Sequence, residues 1–164
     1  MSNTNKNLAT AFAGESQANR KYLAFAKQAD TEGYAQVARL FRATAEAETI
    51  HAHAHLKAMG GIKSTAENLQ SAVEGETYEF NEMYPPFIDE AKAENHSVAL
   101  RSFQMANEAE KVHAELYKKA LASLDKKEVY DVYLCTVCGH VAENHAPDQC
   151  PICGAKTVAY KKID

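Results

Sequence analysis

The 164-residue sequence has no apolar run close to the length of about 20 residues that a membrane-spanning helix needs. Its first six residues, Met-Ser-Asn-Thr-Asn-Lys, lack the apolar stretch of a secretory signal peptide. A net charge of -4 argues against a nucleic-acid-binding surface, which normally carries clustered Lys and Arg. These absences predict a cytoplasmic protein that has neither a membrane nor a nucleic acid as its partner.

Cysteine is also scarce. The chain has only four, and all of them lie between positions 135 and 153, in two Cys-x-x-Cys pairs. In a reducing cytoplasm this arrangement indicates a metal site rather than disulfides. A glycine follows each pair and can adopt the left-handed conformation that turns backbone N–H groups toward the thiolates. The pattern predicts one tetrahedral metal site, and its spacing alone leaves both zinc and iron open. The predicted ligands are Cys135, Cys138, Cys150 and Cys153.

Hydrophobic periodicity predicts four long helices, at about residues 7–30, 34–59, 64–94 and 96–124. The residues Ser64-Thr65-Ala66-Glu67 fit a capping box at the start of the third helix. Pro85-Pro86 falls inside that helix and should kink it or cut it into two. Helices of this length with short connections predict an antiparallel four-helix bundle.

The composition changes after Lys127, where residues 129–133 and 158–160 resemble short strands. A segment this small cannot bury enough apolar area to fold alone, so it needs a metal ion as a staple. We therefore predict a mainly α protein with two domains: a helical bundle over residues 1–127 and a small metal-bound β domain over residues 128–164.

The helical part contains an internal repeat, because Glu-Ala-Glu-Thr-Ile-His at residues 46–51 returns 62 positions later as Glu-Ala-Glu-Lys-Val-His at residues 108–113. A Gly-Glu pair precedes each copy. The second Glu and the His of each copy lie three residues apart on a helix, so that they can bind one metal ion together, whereas the first Glu faces away. One Glu from each of two helices plus a Glu-x-x-His from each of two others is the ligand set of ferritin-like di-iron carboxylate bundles. The predicted ligands are Glu15, Glu48, His51, Glu76, Glu110 and His113.

The alternative for a single Glu-x-x-His is a solvated pair on a helix surface. Two copies at matched positions, on faces lined by Ala and Phe, favour the metal site. Buried carboxylates without a cation would repel one another and would be desolvated at high cost.

The repeat breaks at one position, where Glu79 in the second half corresponds to Ala18 in the first. Glu79 lies one turn beyond Glu76 on the same face and is a seventh candidate ligand. We hypothesise that Glu79 and His51 compete for one iron, with the carboxylate favoured when that iron is ferric and the imidazole when it is ferrous. These two are the predicted catalytic residues. The alternative is that Glu79 is an ordinary exposed helical glutamate.

A few further residues have weaker assignments. Tyr22 and Tyr84 share faces with the predicted ligands, and each is either a core residue or a hydrogen-bond donor to a ligand carboxylate. His55 is expected at the rim of the site. Four other histidines are expected at the surface: His53, His96, His140 and His145.

Taken together, the residues resemble the rubrerythrin family over essentially the whole chain. The resemblance is carried by Ala-Phe-Ala-Gly-Glu-Ser-Gln-Ala at residues 11–18, by the segment 76–85 that contains Glu79, by both Glu-x-x-His motifs and by the rubredoxin-like cysteine pairs. It implies a ferritin-like bundle with two irons, bridged by Glu48 and Glu110, followed by a rubredoxin-like domain with one iron on the four cysteines. It also implies the exchange of Glu79 and His51 at one iron.

The resemblance further implies a peroxidase that reduces hydrogen peroxide to water in oxidative-stress defence. Electrons would enter through the four-cysteine iron from a donor such as rubredoxin or an NAD(P)H-dependent reductase. Rubrerythrins are typically head-to-tail homodimers, in which the cysteine site of one subunit serves the di-iron site of the other.

Two other functions use the same residues. A ferritin-like ferroxidase or iron-handling protein would need the helical ligands but has no use for Glu79 or the cysteine domain. A non-enzymatic scaffold with a zinc ribbon would leave the inward-facing polar residues of the helices unexplained.

Overall fold

The computed structural model describes residues 2–164. Its regular elements lie in the order α1 (Asn3–Thr31), α2 (Ala35–Ala58), α3 (Thr65–Tyr78), α4 (Tyr84–Ala93), α5 (Ser97–Ala122), β1 (Val132–Cys135), β2 (Val141–Glu143) and β3 (Tyr160–Ile163). The chain divides into two compact units, the first ending at Lys63 and the second comprising Ser64–Asp164. The domain boundary predicted between residues 127 and 128 stays a prediction.

The first unit is a hairpin of α1 and α2 that packs through alanine. Its buried apolar side chains are all small, and those of α2 recur every seven residues, at Ala38, Ala45 and Ala52. Small side chains let the two helix backbones approach closely along this line. The buried side chain of Asn19 ties the helices together by donating from Nδ2 to the Ala45 carbonyl (2.7 Å) and to Thr49 Oγ1 (2.8 Å).

Each unit contains a cluster of three aromatic rings, and the two clusters extend the internal repeat. In the first unit Tyr22, Phe25 and Phe41 have ring centroids 5.6 to 6.3 Å apart. In the second unit the corresponding distances are 5.7 to 6.4 Å. That second cluster is formed by Tyr84, Phe87 and Phe103, each 62 positions after its counterpart.

The helix predicted at residues 64–94 continues without a cut, but a π turn at Glu79–Met83 separates α3 from α4. A π turn accommodates one residue more than an α turn does. The repeat records this extra residue, because Glu76 lies 61 positions after Glu15 whereas Tyr84 lies 62 positions after Tyr22. The second half therefore carries a one-residue insertion, which the helix absorbs as the π turn.

The prolines that were expected to kink this helix or cut it into two stand in the first turn of α4, which follows the π turn. Proline is tolerated in a first helical turn, where its missing N–H is needed least. The predicted capping box is confirmed: Ser64 Oγ accepts from the Glu67 N–H, and the Glu67 carboxylate accepts from the Ser64 N–H at 3.2 Å.

The segment after α5 forms a three-stranded antiparallel sheet in the order β2-β1-β3. The strand predicted at residues 129–133 was placed about three residues too early, since β1 is Val132–Cys135. The strand predicted at residues 158–160 was wrong in most of its length: Thr157–Ala159 is a 3₁₀ turn, and β3 begins only at Tyr160. Among the helices of residues 2–164, none combines the length and the apolar character needed to cross a membrane.

The capping box gives a stability prediction for the second unit. Replacing Ser64 with Ala removes the acceptor for the Glu67 N–H, so we expect the free energy of unfolding to fall by about 1 kcal/mol. Urea denaturation followed by the helical circular dichroism signal measures this change. Ser71→Ala, an exposed substitution inside the same helix, is the matched control and should change stability by no more than about 0.5 kcal/mol. Equal effects of the two substitutions would contradict the capping role.

Candidate metal centres

The first unit brings together three of the predicted ligands: Glu15 from α1, and Glu48 and His51 from α2. One ligand atom from each lies within 4.8 Å of the others. His51 Nδ1 is 3.1 Å from Glu48 Oε2. Hydrogen bonding with Glu15, and then with His51, lowers the pKa of Glu48. Two carboxylates can approach in this way only when a proton or a cation lies between them.

The second unit repeats the arrangement with Glu76 from α3 and with Glu110 and His113 from α5, again within 4.8 Å. His113 Nδ1 lies 2.6 Å from Glu110 Oε2 and 3.5 Å from Glu76 Oε2. Burial raises the pKa of Glu76, and the hydrogen bond with Glu110 and its negative charge raise it further. A cation among these oxygens would relieve both the desolvation and the repulsion.

The hydrogen bonds of His113 fix which of its nitrogens can bind a metal. Its Nε2 lies 2.9 Å from the carbonyl oxygen of Gly139, which can only accept a hydrogen bond. Nε2 therefore carries the proton, and in the neutral ring Nδ1 presents its lone pair toward Glu76 and Glu110. A second hydrogen bond of this kind is the usual means by which proteins orient a metal-binding imidazole.

The two histidines differ in how firmly they are held. The side chain of His51 is 55% exposed and that of His113 only 21%. The described residues provide a hydrogen-bond acceptor for Nε2 of His113 but none for Nε2 of His51. His51 is thus free to rotate at a smaller cost than His113.

Glu79 lies near the second triad but is not one of its three members. Burial raises the pKa of Glu79, with a further contribution from the charge of Glu76. The phenol of Tyr84 is in the same surroundings: burial, then the charges of Glu110, Glu79 and Glu76, raise its pKa. Tyr84 therefore remains a neutral hydrogen-bond donor beside this carboxylate cluster.

The four cysteines also come together, as two matching knuckles. Cys135 and Cys138 lie in one and Cys150 and Cys153 in the other, with all four Sγ atoms within 4.8 Å. The Sγ atoms of Cys135 and Cys153 are 3.7 Å apart, and those of Cys138 and Cys150 are 3.5 Å apart. A tetrahedral ion with metal–sulfur bonds near 2.3 Å needs sulfurs about 3.8 Å apart, so the cage has the size of such an ion.

The backbone of both knuckles follows the sequence expectation for their glycines. Gly139 has φ of 86° and Gly154 has φ of 74°, and each donates its N–H to the carbonyl of the first cysteine in its knuckle. Although burial opposes ionisation, hydrogen bonds from backbone N–H groups and from Tyr160 lower the pKa of Cys150 to about 6. The thiolate, which is the form that binds metal, is thus favoured at Cys150, whereas burial raises the pKa of Cys138 and of Cys153.

His140 was predicted at the surface, and this was wrong: it is 8% exposed. Its Nδ1 lies 2.8 Å from the Tyr160 hydroxyl oxygen, within hydrogen-bond distance and beside the cysteine cage. His96 also has a structural task, since its Nδ1 accepts from the Ala99 N–H and caps α5. His96 is nevertheless exposed, as predicted, and no spacing in the sequence distinguished the buried His140 from the exposed histidines.

These donor sets fit the metals predicted for them. Carboxylate oxygens with one imidazole nitrogen in each triad suit iron or manganese, and four thiolates in a tetrahedral cage suit iron or zinc. Together with the long helices, they define a class of non-haem iron protein that joins a ferritin-like carboxylate site to a rubredoxin-like cysteine site.

Comparison with known proteins identifies the family within this class. Residues 6–121 match the family model described as rubrerythrin, and residues 133–161 match the rubredoxin-like domain of rubrerythrin. The chain belongs to the rubrerythrin family.

Individual relatives agree over nearly the full length. Nigerythrin of Nitratidesulfovibrio vulgaris is 40% identical over 164 aligned residues, covering 92% of this chain and 81% of the relative. Rubrerythrin-2 of Clostridium acetobutylicum is 36% identical, covering 91% and 90%.

Solved structures of nigerythrin are similar as well. One described as a mixed-valence state has a TM-score of 0.60 at 38% identity and covers 99% of this chain and 88% of its own. Another, described as fully reduced and all ferrous, has a TM-score of 0.61 at 37% identity. The predicted fold class is therefore confirmed as mainly α and ferritin-like with a small rubredoxin-like β part. The predicted cofactors, a di-iron Glu/His site and a four-cysteine site, match the family.

The triads lead to a test of metal binding. We expect His113→Ala to lower the affinity of the helical site for iron, because it removes one of three donors in the second triad, while the four-cysteine iron stays bound. Iron analysis together with the visible absorption of the thiolate-bound iron separates the two pools.

His53→Ala is the control for this test, since His53 is an exposed histidine of α2 outside both triads. It should leave the iron content unchanged. If His113→Ala also bound the full amount of helical iron, His113 would not be a ligand.

Proposed function

We propose that the protein is a cytoplasmic peroxidase that reduces hydrogen peroxide to water, with electrons entering through the four-cysteine iron. The observation that carries this proposal is the hydrogen bond from His113 Nε2 to the Gly139 carbonyl. It joins a ligand of the helical site directly to a cysteine knuckle. A ferroxidase uses the carboxylates but has no need of that connection, so we favour the peroxidase.

When iron is bound, the di-iron site supplies the two electrons that convert one hydrogen peroxide and two protons into two molecules of water. The protein must hold the metals, deliver electrons and donate protons. The proposed ligands remain those predicted from the sequence: Glu15, Glu48, His51, Glu76, Glu79, Glu110 and His113 for the di-iron site, with the four cysteines for the single iron.

The side chains near the second triad are suited to handling protons. Tyr84 keeps its hydroxyl proton because its pKa is raised, so it can donate a hydrogen bond to a ligand carboxylate. Glu79, whose pKa is also raised, can hold a proton when it is not bound to iron.

The proposed exchange between Glu79 and His51 is supported by the unequal exposure and hydrogen bonding of His51 and His113. The exposed His51 can leave an iron and return, whereas the Gly139 hydrogen bond opposes any rotation of His113. Glu79 provides an extra carboxylate that favours the ferric ion over the ferrous one.

The partners follow from the same chemistry. Hydrogen peroxide is the proposed substrate, and rubredoxin or an NAD(P)H-dependent reductase is the proposed electron donor. A homodimer remains the expected assembly.

The proposed reaction is tested by reducing the purified protein without oxygen and then adding a small excess of hydrogen peroxide, because the three ferrous ions hold three electrons and each peroxide accepts two. We expect rapid reoxidation of both iron centres, seen as the return of the visible absorption of the thiolate-bound iron in a stopped-flow instrument. Oxidation by dioxygen with little response to peroxide would instead favour the ferroxidase. A colourless protein with zinc on the cysteines would rule out electron entry there.

The role of Glu79 is tested by Glu79→Ala, which should retain iron and lower the peroxide turnover number by roughly 10- to 100-fold. Glu82→Ala is the matched control, because Glu82 is an exposed glutamate of the same π turn. Turnover assays and iron analysis are made on both variants. Unchanged peroxide kinetics in Glu79→Ala would refute the exchange with His51.

A further inference from the structure

The link between α2 and α3 has to be the crossover of the bundle. Ferritin-like bundles have one long crossover connection. The connection between α1 and α2 is residues 32–34, that between α4 and α5 is residues 94–96, and each joins two helices that pack against each other. The link between α2 and α3 consists of the six residues 59–64. The crossover therefore falls on this link, although it is only six residues long.

The position of the ligands sets the distance that a crossover must span. A crossover joins helices that run in the same direction, so the chain has to return along the bundle before the next helix begins. His51 lies seven residues before the end of α2 at Ala58, which is about 10 Å of helix. Glu76 lies eleven residues after the start of α3 at Thr65, which is about 16 Å. The two irons of a two-metal site are only about 4 Å apart, so His51 and Glu76 must lie at nearly the same height. The link would then have to span about 27 Å along the bundle.

The link cannot cover that distance. The seven Cα–Cα steps from Ala58 to Thr65 span at most about 25 Å even when the chain is fully extended. The link is not extended, because the Gly61 N–H donates back to the Leu56 carbonyl in the last turn of α2 at 2.9 Å. A Cβ atom at Gly61 would collide with the Leu56 side chain, so this part of the link lies against α2. The four steps from Gly61 to Thr65 remain, with a reach of about 14 Å.

Each unit by itself holds half of a di-iron site. The ligand set of ferritin-like carboxylate bundles takes side chains from four helices, whereas each triad draws on two. The aromatic clusters of both units are also partly uncovered, since Phe25 is 47% exposed and its counterpart Phe87 is 40% exposed. A second copy of the chain offers what each unit lacks, namely the other triad and the other aromatic cluster.

We propose that the chain forms a swapped dimer, in which the first unit of each chain completes the di-iron site of the other chain's second unit. Each site then contains one triad from each chain. A twofold axis relates the two sites, so both are complete and every triad has its counterpart. Exchange of identical elements is a low-cost route to a dimer, and a short hinge favours it because the chain cannot close on itself.

The proposal rests on the di-iron site of the proposed function and not on its peroxidase reaction. It also divides the proposed ligand exchange between two chains. Glu79 belongs to the second unit, so at each iron pair it would compete with His51 of the partner subunit. Complete sites, and with them the exchange, form only when two chains associate.

The swap is tested by complementation between two defective chains. One carries Glu48→Ala and His51→Ala in its first unit, and the other carries Glu110→Ala and His113→Ala in its second unit. The two chains are co-expressed with different tags, purified through both tags and loaded with iron without oxygen. A swapped heterodimer contains one site with two intact triads and one site with none. An unswapped heterodimer has one damaged triad in each site.

The pairing of the irons is measured without turnover. Oxidation of a diferrous pair by one electron gives a spin-coupled mixed-valence pair, whose electron paramagnetic resonance signal an isolated iron does not give. We expect the heterodimer to give about half the wild-type signal, because one of its two sites is intact. Either homodimer should give none. Absence of the signal from the heterodimer, while the wild type shows it, would overturn the swap. A wild type without the signal would instead contradict the di-iron site itself, and failure of the peroxidase reaction alone would leave the signal unchanged.

A matched control combines the first defective chain with a chain that carries Glu15→Ala. Both defects then lie in the first unit, so a swapped heterodimer contains no site with two intact triads. We expect no mixed-valence signal from this pair. A signal as strong as that of the complementing pair would contradict the proposed division of ligands between chains.

The role of the link is tested by lengthening it. About fifteen Gly and Ser residues inserted between Gly61 and Ile62 raise the mean span from Gly61 to Thr65 to about 24 Å and allow a longer reach, so each chain can close its own bundle. The two defective chains with this insert should lose most of their complementation, whereas the insert alone should leave the wild-type signal in place. The same insert after Gly33, between α1 and α2, is the control and should preserve complementation. Full complementation with the lengthened link would overturn the link as the cause of the swap.

Discussion

Repulsion between carboxylates is the constraint on which this structure depends. Each helix pair places two glutamates within hydrogen-bonding reach of each other, on faces otherwise lined by alanine and aromatic rings. In the second unit, burial and the neighbouring Glu110 raise the pKa of Glu76, which shows that the charged form of this carboxylate is disfavoured there. Apolar residues at these positions would serve stability better, so the presence of the glutamates in both halves supports the proposal that they hold cations.

The same constraint accounts for the differences between the two triads. His113 is fixed by the Gly139 carbonyl, and its unprotonated nitrogen is aimed at the carboxylates. The more exposed His51 lacks such a partner among the described residues. The two copies of the repeat thus differ, because the imidazole of His113 has hydrogen-bond partners at both nitrogens and that of His51, within the described part of the chain, only at Nδ1. His113 is the one that contacts the cysteine knuckle, through the Gly139 carbonyl.

Much of this arrangement could be predicted from the sequence, because the helices carry strong periodicity and the ligands recur at fixed spacing. The members of each triad lie together and so do the four cysteines, and the Ser64 capping box formed, whereas the convergence of both triads and Glu79 on one di-iron site stays a prediction. The strands were placed less well, since a metal-stapled segment lacks the alternation that an apolar core imposes. The contact of His113 with Gly139 could not be predicted, because a backbone carbonyl leaves no trace in residue type. The π turn did leave a trace, in the change of the repeat offset from 61 to 62.

That π turn also constrains how the chain can change over evolutionary time. The one-residue insertion in the second half of the repeat cannot be reversed by a substitution. Substitutions do not alter the number of residues between Glu76 and Tyr84. Only the loss of a codon would return the second half to the pattern of the first. The asymmetry between the halves is therefore protected from ordinary mutational drift, and reversion requires a rarer genetic event than the replacement of any individual ligand.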